Sequence, residues 1–261
     1  MSRFDLHTHT VYCDGKNTPR EMIEGAVRRG FSAIGFTAHA YTAFDESYCI
    51  KEADTARYLA ELAALKVEYA DSIAVHIGFE VDAYGKRPTG DYGYIIGSAH
   101  YVLKNGRYYD VDLSLDSLKK TVAEVFGGDA DAYAEAYFEA LKAIAALKPD
   151  IIGHFDLLTK FNEQESVIDT ASPRYIKAWQ SAADTLLALG VPFEVNTGAI
   201  SRGYRTAPYP AADILEYLAS RGARFVLSGD AHSVSGLGYA FDEAKALLTA
   251  HGIMPIAEVW L

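Results

Sequence analysis

The segment Phe4-Asp5-Leu6-His7-Thr8-His9-Thr10 decides how the chain is interpreted. Its composition predicts a first β-strand that runs directly into a loop. Because successive side chains of a strand point to opposite faces, His7 and His9 project together while Thr8 faces away. Two imidazoles placed in this way form a metal chelate. Taken alone, the pair fits equally well two hydrogen-bonded polar residues at a strand end.

The same arrangement recurs along the chain, where later apolar runs end in a histidine or a carboxylate. These residues are His39, Glu80, His100, His154, Asp230 and His232. Six of the eight histidines therefore lie at predicted strand ends. His76 falls in the middle of a predicted strand and His251 near the end of the last predicted helix, so we interpret both as structural.

Alternating strands and helices predict the fold. The predicted strands lie within residues 4–10, 32–37, 73–79, 94–99, 150–153, 191–195, 224–228 and 255–260. The predicted helices lie within 18–30, 53–69, 114–126, 129–147, 174–189, 210–220 and 239–250. Parallel pairing through right-handed crossovers accounts for this order, and nearly continuous apolar strands require that both faces are covered. Seven or eight such units predict an α/β barrel, and no linker divides the chain, so residues 1–261 should form a single domain.

The composition excludes several classes of function. The formal net charge of −11 argues against a nucleic-acid partner, which would need a surface rich in lysine and arginine. No residue run is long and apolar enough to span a bilayer, and the first residues do not resemble a signal peptide. We therefore expect a cytoplasmic protein with no membrane partner, in which Cys13 and Cys49 are reduced thiols. The sequence leaves the oligomeric state open.

The candidate ligands share one position in the predicted fold. In parallel barrels the active site lies at the carboxyl ends of the strands, and every candidate falls there. Imidazoles and carboxylates together suit zinc, manganese or iron. Because one ion cannot use so many ligands, the sequence predicts more than one metal ion.

Seven motifs carry a specific resemblance to a known family. They are Asp5-x-His7-x-His9-x4-Asp14-Gly15, Phe36-Thr37-Ala38-His39, Gly78-Phe79-Glu80-Val81-Asp82, Asp91-Tyr92 with Ile96-Gly97-Ser98-Ala99-His100, Gly153-His154-Phe155-Asp156, Glu194-x-Asn196-Thr197-Gly198 and Ser228-Gly229-Asp230-Ala231-His232. They resemble the successive motifs of the polymerase and histidinol phosphatase (PHP) superfamily over nearly the whole chain, and most of all those of its stand-alone histidinol-phosphatase branch. Ala38 and Ala99 stand where the family often has aspartate and valine, and neither change removes a ligand.

The resemblance implies a distorted TIM-like (β/α)7 barrel that holds up to three divalent transition-metal ions, zinc, manganese or iron. The first ion would be held by His7, His9, Glu80 and Asp230, the second by Glu80, His100 and His154, and the third by Asp14, His39 and His232. Among these ligands, Glu80, Asp14 and His232 are the predicted catalytic residues.

The implied activity is hydrolysis of L-histidinol phosphate to L-histidinol and phosphate. A water molecule that bridges two such ions loses a proton near neutral pH and acts as the nucleophile, while the ions neutralise charge on the phosphoryl oxygens. Similar PHP proteins act on phosphotyrosyl proteins or other small phosphomonoesters, which is the main alternative. A non-catalytic PHP module is disfavoured because no ligand is missing. An amidohydrolase would share the His-x-His strand but would not predict Glu80, His100 and Asp14.

Two cationic residues are predicted to bind the substrate. Arg202 aligns best with the phosphate-holding arginine of the family, and a guanidinium can bind two phosphate oxygens at once. Lys160 is the second candidate, with a solvated loop charge as the alternative, and Arg205 is the fallback for Arg202. Four loop tyrosines are candidates to surround an imidazole, although most tyrosines should pack in ordinary ways. They are Tyr41, Tyr92, Tyr101 and Tyr204.

Overall fold

The apolar runs of the sequence form strands that pair side by side, in a computed structural model that describes residues 3–261. The strands are β1 (Phe4–Asp5), β2 (Ala33–His39), β3 (Ala74–Asp82), β4 (Tyr94–Ser98), β5 (Tyr101–Lys104), β6 (Arg107–Asp110), β7 (Ile151–Ile152), β8 (Phe193–Asn196) and β9 (Phe225–Ser228). Seven of them form one sheet in the order β1-β2-β3-β4-β7-β8-β9. Every neighbouring pair in this sheet is parallel, as the alternation of strands and helices predicts.

Hydrogen bonds just beyond β1 and β9 bring the two edges of the sheet together. The amide of His9 donates to the carbonyl oxygen of Ala231 at 3.0 Å, and the amide of Ala231 donates to that of His7 at 3.1 Å. The sheet is therefore a nearly closed barrel of seven strands. The predicted distorted (β/α)7 barrel is confirmed, and its closing contacts lie at the carboxyl ends of the strands.

Helices surround the outside of the sheet. They are α1 (Pro19–Arg28), α2 (Thr55–Glu68), α3 (Leu115–Lys120), α4 (Ala130–Ala143), α5 (Pro173–Leu187), α6 (Gly198–Ser201), α7 (Ala212–Ser220) and α8 (Phe241–Ala250). At the start of α1 the side chains of Thr18 and Glu21 form a capping box, which satisfies amides that the helix leaves free. No helix within residues 3–261 combines the length and the apolar character needed to cross a membrane.

The interior of the barrel is filled around Tyr94. This buried side chain crosses the barrel, and its hydroxyl donates to the carbonyl oxygen of Leu6 at 2.6 Å. Gly78 on β3 makes room for the ring, since a Cβ at this position would lie 2.7 Å from it. Because Gly78 has no side chain, the ring of Tyr94 can pack against β3 and fill the barrel interior below the strand ends.

Two parts of the sequence prediction differ from the structure. The predicted strand 255–260 is wrong, because residues 255–260 form no strand in the structure, although the amide of Ile256 donates to the carbonyl oxygen of Phe225 on β9 at 2.8 Å. Instead, Ile256, Val259 and Trp260 pack against the apolar barrel interior. The antiparallel hairpin β5–β6 was not predicted, although Asn105-Gly106, a typical two-residue hairpin turn, lies between Tyr101-Val102-Leu103 and Tyr108-Tyr109.

Candidate metal centre

The nine predicted metal ligands lie together at the carboxyl ends of the barrel strands. His39 and Glu80 belong to β2 and β3 themselves. The others lie in the segments that follow strands and are His7, His9, Asp14, His100, His154, Asp230 and His232. All are buried except Asp14, which is exposed, and His232, which is half-buried. The barrel therefore brings together residues that are separated by more than two hundred positions in sequence.

Glu80 lies at the centre of this cluster. Its Oε1 is 2.9 Å from Nε2 of His154 and 3.4 Å from Nε2 of His100. Its Oε2 is 3.1 Å from Nε2 of His7 and 3.1 Å from Nδ1 of His39. Burial opposes ionisation of this carboxyl, but the surrounding histidines outweigh burial and hold the pKa of Glu80 well below its usual range. Because each oxygen faces a different set of imidazoles, the carboxylate could contribute to more than one metal site.

Three overlapping groups of side chains within the described residues could each hold an ion. The groups are His9 with Asp14, His39 and His232; His7 with His9 and Asp230; and His39 with Glu80 and His100. Within each group, one ligand atom per residue lies within 4.8 Å of the others. These groups differ from the ligand sets that the resemblance implies. His9 and His39 each belong to two groups, and His154 belongs to none, although its Nε2 lies 2.9 Å from Oε1 of Glu80.

The chemistry of the cluster fits divalent metal ions. Nε2 of His9 is buried without a hydrogen-bond partner among the described residues, and it lies 3.1 Å from Oδ1 of Asp230. Burial and the neighbouring imidazoles of His232 and His39 lower the pKa of His9 to about 3. Its ring is therefore neutral, which is the form that binds a metal. A buried set of imidazole and carboxylate donors is the type that zinc, manganese and iron prefer.

Arg202 lies at the edge of the cluster, directly after the short helix α6. Its Nη2 donates to Oδ2 of Asp230 at 3.1 Å, and its Nη1 is 2.9 Å from Nδ1 of His232. The same Nη1 donates to the carbonyl oxygen of Asp230 at 3.1 Å. The structure thus brings the predicted phosphate-binding arginine into contact with two of the predicted ligands.

Lys160 and Arg205 have different surroundings. Lys160 is only 7% exposed, and its Nζ donates to the carboxylate and the carbonyl oxygen of Asp112 at 2.9 and 2.8 Å, so it is not a solvated loop charge. Its side chain lines the cavity above the metal ligands. Arg205 points elsewhere: Nη1 donates to the hydroxyl of Thr159 at 2.6 Å, and the guanidinium lies 4.3 Å from the ring centre of Tyr209. Of the two, only Lys160 is placed to meet a substrate.

The nine predicted metal ligands are here called the floor, and all of them except His7 and His9 line a cavity of about 450 Å³. Its opposite side, here called the outer wall, comes from the segment 40–51 after β2 and from the hairpin β5–β6 with the residues that follow it. The outer wall consists of Phe44, Asp45, Tyr48, Tyr101, Tyr108, Asp110 and Asp112. It is therefore aromatic and acidic, whereas the floor adds the cationic side chains of Arg202 and Lys160.

Contacts between the two segments hold the outer wall together. The hydroxyl of Tyr101 donates to Oδ2 of Asp45 at 2.7 Å. The ring of Phe44 stacks on that of Tyr108 with 3.7 Å between their centres. Of the four tyrosines proposed from the sequence, Tyr101 and Tyr204 line the cavity, whereas Tyr41 and Tyr92 do not.

Comparison with known proteins identifies the family of this chain. The model of the PHP domain matches residues 5–198, which carry most of the cluster. The chain belongs to the PHP family. The match ends before Asp230 and His232, but both residues directly follow β9, which belongs to the same sheet as the matched strands.

Relatives of this PHP protein share its length as well as its fold. The "probable histidinol-phosphatase" of Deinococcus radiodurans is 30% identical over 252 residues, which cover 92% of this chain and 90% of the relative. A crystal structure of a histidinol phosphatase candidate from Listeria monocytogenes has a TM-score of 0.79 at 22% identity, covering 92% of this chain and 99% of that chain. The histidinol phosphate phosphatase of Lactococcus lactis has a TM-score of 0.72 at 18% identity, covering 98% of this chain and 95% of that chain.

Asp82 and Glu194 are two of the carboxylates of the PHP barrel that contact the predicted ligands and were not predicted as site residues. Oδ2 of Asp82 accepts a hydrogen bond from the amide of His100 at 2.8 Å. Oε1 of Glu194 lies 2.6 Å from Nδ1 of His7. A signal was available, because each is a carboxylate within an apolar strand and belongs to one of the quoted motifs. Their contacts could not be predicted, since they depend on how the strands pair and join residues 18 and 187 positions apart.

Proposed function

We propose that this PHP protein is a metal-dependent histidinol-phosphatase, which hydrolyses L-histidinol phosphate to L-histidinol and phosphate. The observation that carries the proposal is the polarity of the cavity. Its floor combines metal ligands with Arg202 and Lys160, and its outer wall is aromatic and acidic. A phosphorylated amino alcohol with an imidazole has the complementary chemistry, since one end is anionic and the other is cationic and planar.

The proposed metal sites follow the contacts of Glu80. When bound, divalent ions would supply an activated water and neutralise charge on the phosphoryl oxygens. The proposed ligands are His7, His9, Glu80 and Asp230 for one ion, Glu80, His100 and His154 for a second, and Asp14, His39 and His232 for a third. Because three groups of side chains within the described residues could each hold an ion, we propose up to three ions per chain, chosen from zinc, manganese and iron.

Arg202 and Lys160 are the proposed phosphate-binding residues. The contacts of Arg202 with Asp230 and His232 hold its guanidinium beside the floor, so little side-chain freedom is lost when the phosphate binds. Lys160 is fixed in the same way by Asp112 and adds a point charge on the cavity surface. Both residues would orient the phosphate towards the metal ligands.

The outer wall is the proposed binding surface for the alcohol. The rings of Tyr48 and Tyr101 can pack against an imidazole, which combines a planar face with polar edges. The carboxylates of Asp45 and Asp110 provide negative charge for the ammonium group. A segment and a hairpin over the barrel mouth also favour a small substrate over a phosphotyrosine that belongs to a folded protein.

Two relatives support the assignment. The Lactococcus lactis crystal structure contains zinc, L-histidinol and phosphate. L-Histidinol and phosphate are the two products of the proposed reaction. The Deinococcus radiodurans relative carries the same activity in its name and matches nine tenths of its own length. Together with the family assignment, these names favour histidinol phosphate over the other phosphomonoesters on which PHP proteins act.

Steady-state kinetics in one metal buffer tests the substrate. We expect a higher kcat/KM for L-histidinol phosphate than for a phosphotyrosyl peptide or a generic aryl phosphate. A preference of about tenfold or more for the peptide, equivalent to 1.4 kcal/mol, would favour the alternative phosphatase instead. Elemental analysis of the same preparation tests the metals, because one equivalent of metal with full activity contradicts a multinuclear centre.

The proposed compartment is the cytoplasm. Both cysteines, Cys13 and Cys49, are free in the structure. Proteins of that compartment keep their thiols reduced, whereas secreted chains usually pair them. Cell fractionation with an antibody against the chain tests this assignment.

A further inference from the structure

We propose that Glu194 is a positioning residue that fixes the tautomer of His7 and so prepares its Nε2 to bind metal. The inference rests on the proposed function only in taking His7 as a metal ligand. Glu194 lies on β8 and is 1% exposed. It is not among the nine predicted ligands, and its carboxylate faces the side of His7 that points away from the rest of the cluster.

The contacts of Glu194 use both of its oxygens. Oε1 lies 2.6 Å from Nδ1 of His7 and also accepts from the hydroxyl of Ser228. Oε2 accepts from the amide of His154 at 2.9 Å and from the side-chain amide of Asn196 at 2.8 Å. One buried carboxylate therefore links β8 to two proposed ligands, which follow the separate strands β1 and β7.

An ionised carboxylate can only accept hydrogen bonds, which determines the state of the His7 ring. Nδ1 of His7 must carry the proton that is shared with Glu194. The opposite nitrogen, Nε2, lies within hydrogen-bond distance of Oε2 of Glu80, at 3.1 Å, and 3.6 Å from Oδ1 of Asp230. A metal ion bound there would displace the proton that Nε2 shares with Glu80, and the proton held on Nδ1 by Glu194 leaves the lone pair of Nε2 free for that ion. Hydrogen bonds of this kind orient histidine ligands in many metal sites and increase their basicity.

The substitution Glu194→Gln tests this role, because it keeps the shape but turns one acceptor into a donor. If the NH₂ group of the glutamine took the place of Oε2, it would face two hydrogen-bond donors, the backbone amide of His154 and the side-chain amide of Asn196, and could accept from neither. At the Oε1 position, it would face the Ser228 hydroxyl, which can reverse its role. Nδ1 of His7 can accept a hydrogen bond from this NH₂ group only if the proton of the ring moves to Nε2. We therefore expect the variant to hold His7 in the tautomer that cannot bind metal.

Asp5→Asn provides the matched control. Asp5 is also a buried carboxylate beside His7, but its Oδ1 accepts from the backbone amides of His7 and Gly229, at 3.2 and 3.0 Å. Zinc affinity is measured by competition with a chelator, and circular dichroism of the metal-free proteins checks that both variants fold. We expect Glu194→Gln to lose roughly 10- to 100-fold in zinc affinity, as is usual for such partners, and Asp5→Asn to change it by less than about threefold.

Equal zinc affinity in Glu194→Gln and the wild type would overturn the proposal. If Glu194→Gln does not fold, ¹⁵N NMR of the zinc-loaded wild-type protein decides, with the His7 signal identified by its loss in His7→Asn. A proton on Nδ1 supports the proposal, and a proton on Nε2 contradicts it. None of these measurements uses histidinol phosphate. A wild-type protein that binds zinc but does not hydrolyse this ester would therefore contradict the proposed function and leave the role of Glu194 intact.

Discussion

The floor and the outer wall of the cavity are built in different ways. The floor residues His7, Glu80 and His154 are at most 2% exposed, and they belong to barrel strands or directly follow them. The outer wall comes from a segment and a hairpin attached to the barrel, and it includes Tyr108, which is 39% exposed. The floor is thus built directly on the ends of the hydrogen-bonded sheet, whereas the outer wall is built on a segment and a hairpin outside it.

This difference indicates that the floor and the outer wall have separate roles, metal binding and substrate selection. Residues that hold metal must keep their positions within a fraction of an ångström, and strand ends in a closed sheet provide that precision. Residues that select the alcohol part of a substrate can tolerate more movement and can change without disturbing the metal ligands. We therefore expect floor substitutions to reduce hydrolysis of every phosphomonoester, and outer-wall substitutions to affect only some of them.

Glu80→Gln should have the largest effect. The change keeps the size of the side chain but removes the charge between His7, His39, His100 and His154. Loss of metal-based charge stabilisation costs several kcal/mol, so kcat/KM should fall by at least about 1000-fold for all esters. Metal analysis and kinetics on two esters check this. A variant that keeps both metal content and rate contradicts the bridging role of Glu80.

Arg202→Ala should come next and should act on the phosphate instead of the metal. Loss of one charged partner in a desolvated pair costs about 2–5 kcal/mol, or roughly 30- to 4000-fold in kcat/KM. We expect metal content to stay closer to that of the wild type than in Glu80→Gln.

Arg205→Ala is the control for Arg202→Ala. Arg205 packs on Tyr209 outside the cavity, so its loss should lower the stability of the fold by about 1–3 kcal/mol and leave kcat/KM nearly unchanged. Thermal melts and kinetics on both variants separate these effects. A large kinetic defect in Arg205→Ala, with none in Arg202→Ala, would assign the phosphate to Arg205.

The floor could be predicted from the sequence for a physical reason. Its residues each follow an apolar run, and the geometry of parallel strands brings such positions to one end of the barrel. His7, Glu80 and Asp230 were therefore named from their place in the pattern. The contacts among them were not predictable in detail, and His9 proved to lie in two of the possible metal groups.

The outer wall could not be predicted in the same way. The hairpin β5–β6 has a local signal in its Asn105-Gly106 turn, but the contact that joins it to the other segment, between Tyr101 and Asp45, links residues 56 positions apart. Glu194 was missed for a related reason. As a carboxylate inside β8 it fitted a motif, but only the assembled barrel shows that it lies behind His7. Contacts across the barrel therefore mark the limit of the sequence prediction.

Asp110→Asn should have a smaller effect that depends on the substrate. In the described structure the carboxylate of Asp110 accepts from the hydroxyl of Ser117 and lines the cavity, so we propose that it attracts the ammonium group. A hydrogen bond to a charged group contributes about 1.5–3 kcal/mol, and kcat/KM for histidinol phosphate should fall at least about tenfold.

The desamino analogue of histidinol phosphate sharpens the test of Asp110→Asn, because it lacks the ammonium group and keeps the rest of the molecule. We expect its kcat/KM to change by less than about twofold in this variant, which is under 0.5 kcal/mol. Asp116→Asn, on the neighbouring helix α3 and outside the cavity lining, is the matched control. An equal loss on both esters would show that Asp110 supports the floor instead of selecting the amine.

Tyr101→Phe should have the smallest effect, because it removes only the hydrogen bond that ties the hairpin to Asp45. The ring remains and keeps its edge-on contact with Phe44, at 4.9 Å between centres. A hydrogen bond to a carboxylate contributes about 1.5–3 kcal/mol, but this one contacts no substrate atom, so we expect only about 1 kcal/mol to appear as a roughly fivefold rise in KM for histidinol phosphate, while kcat and metal content stay the same. Tyr92→Phe, which loses a hydroxyl that bonds to Pro88 outside the cavity, should leave KM unchanged. If Tyr101→Phe instead lowers metal content, the outer wall supports the floor, and the two parts of the cavity are not independent.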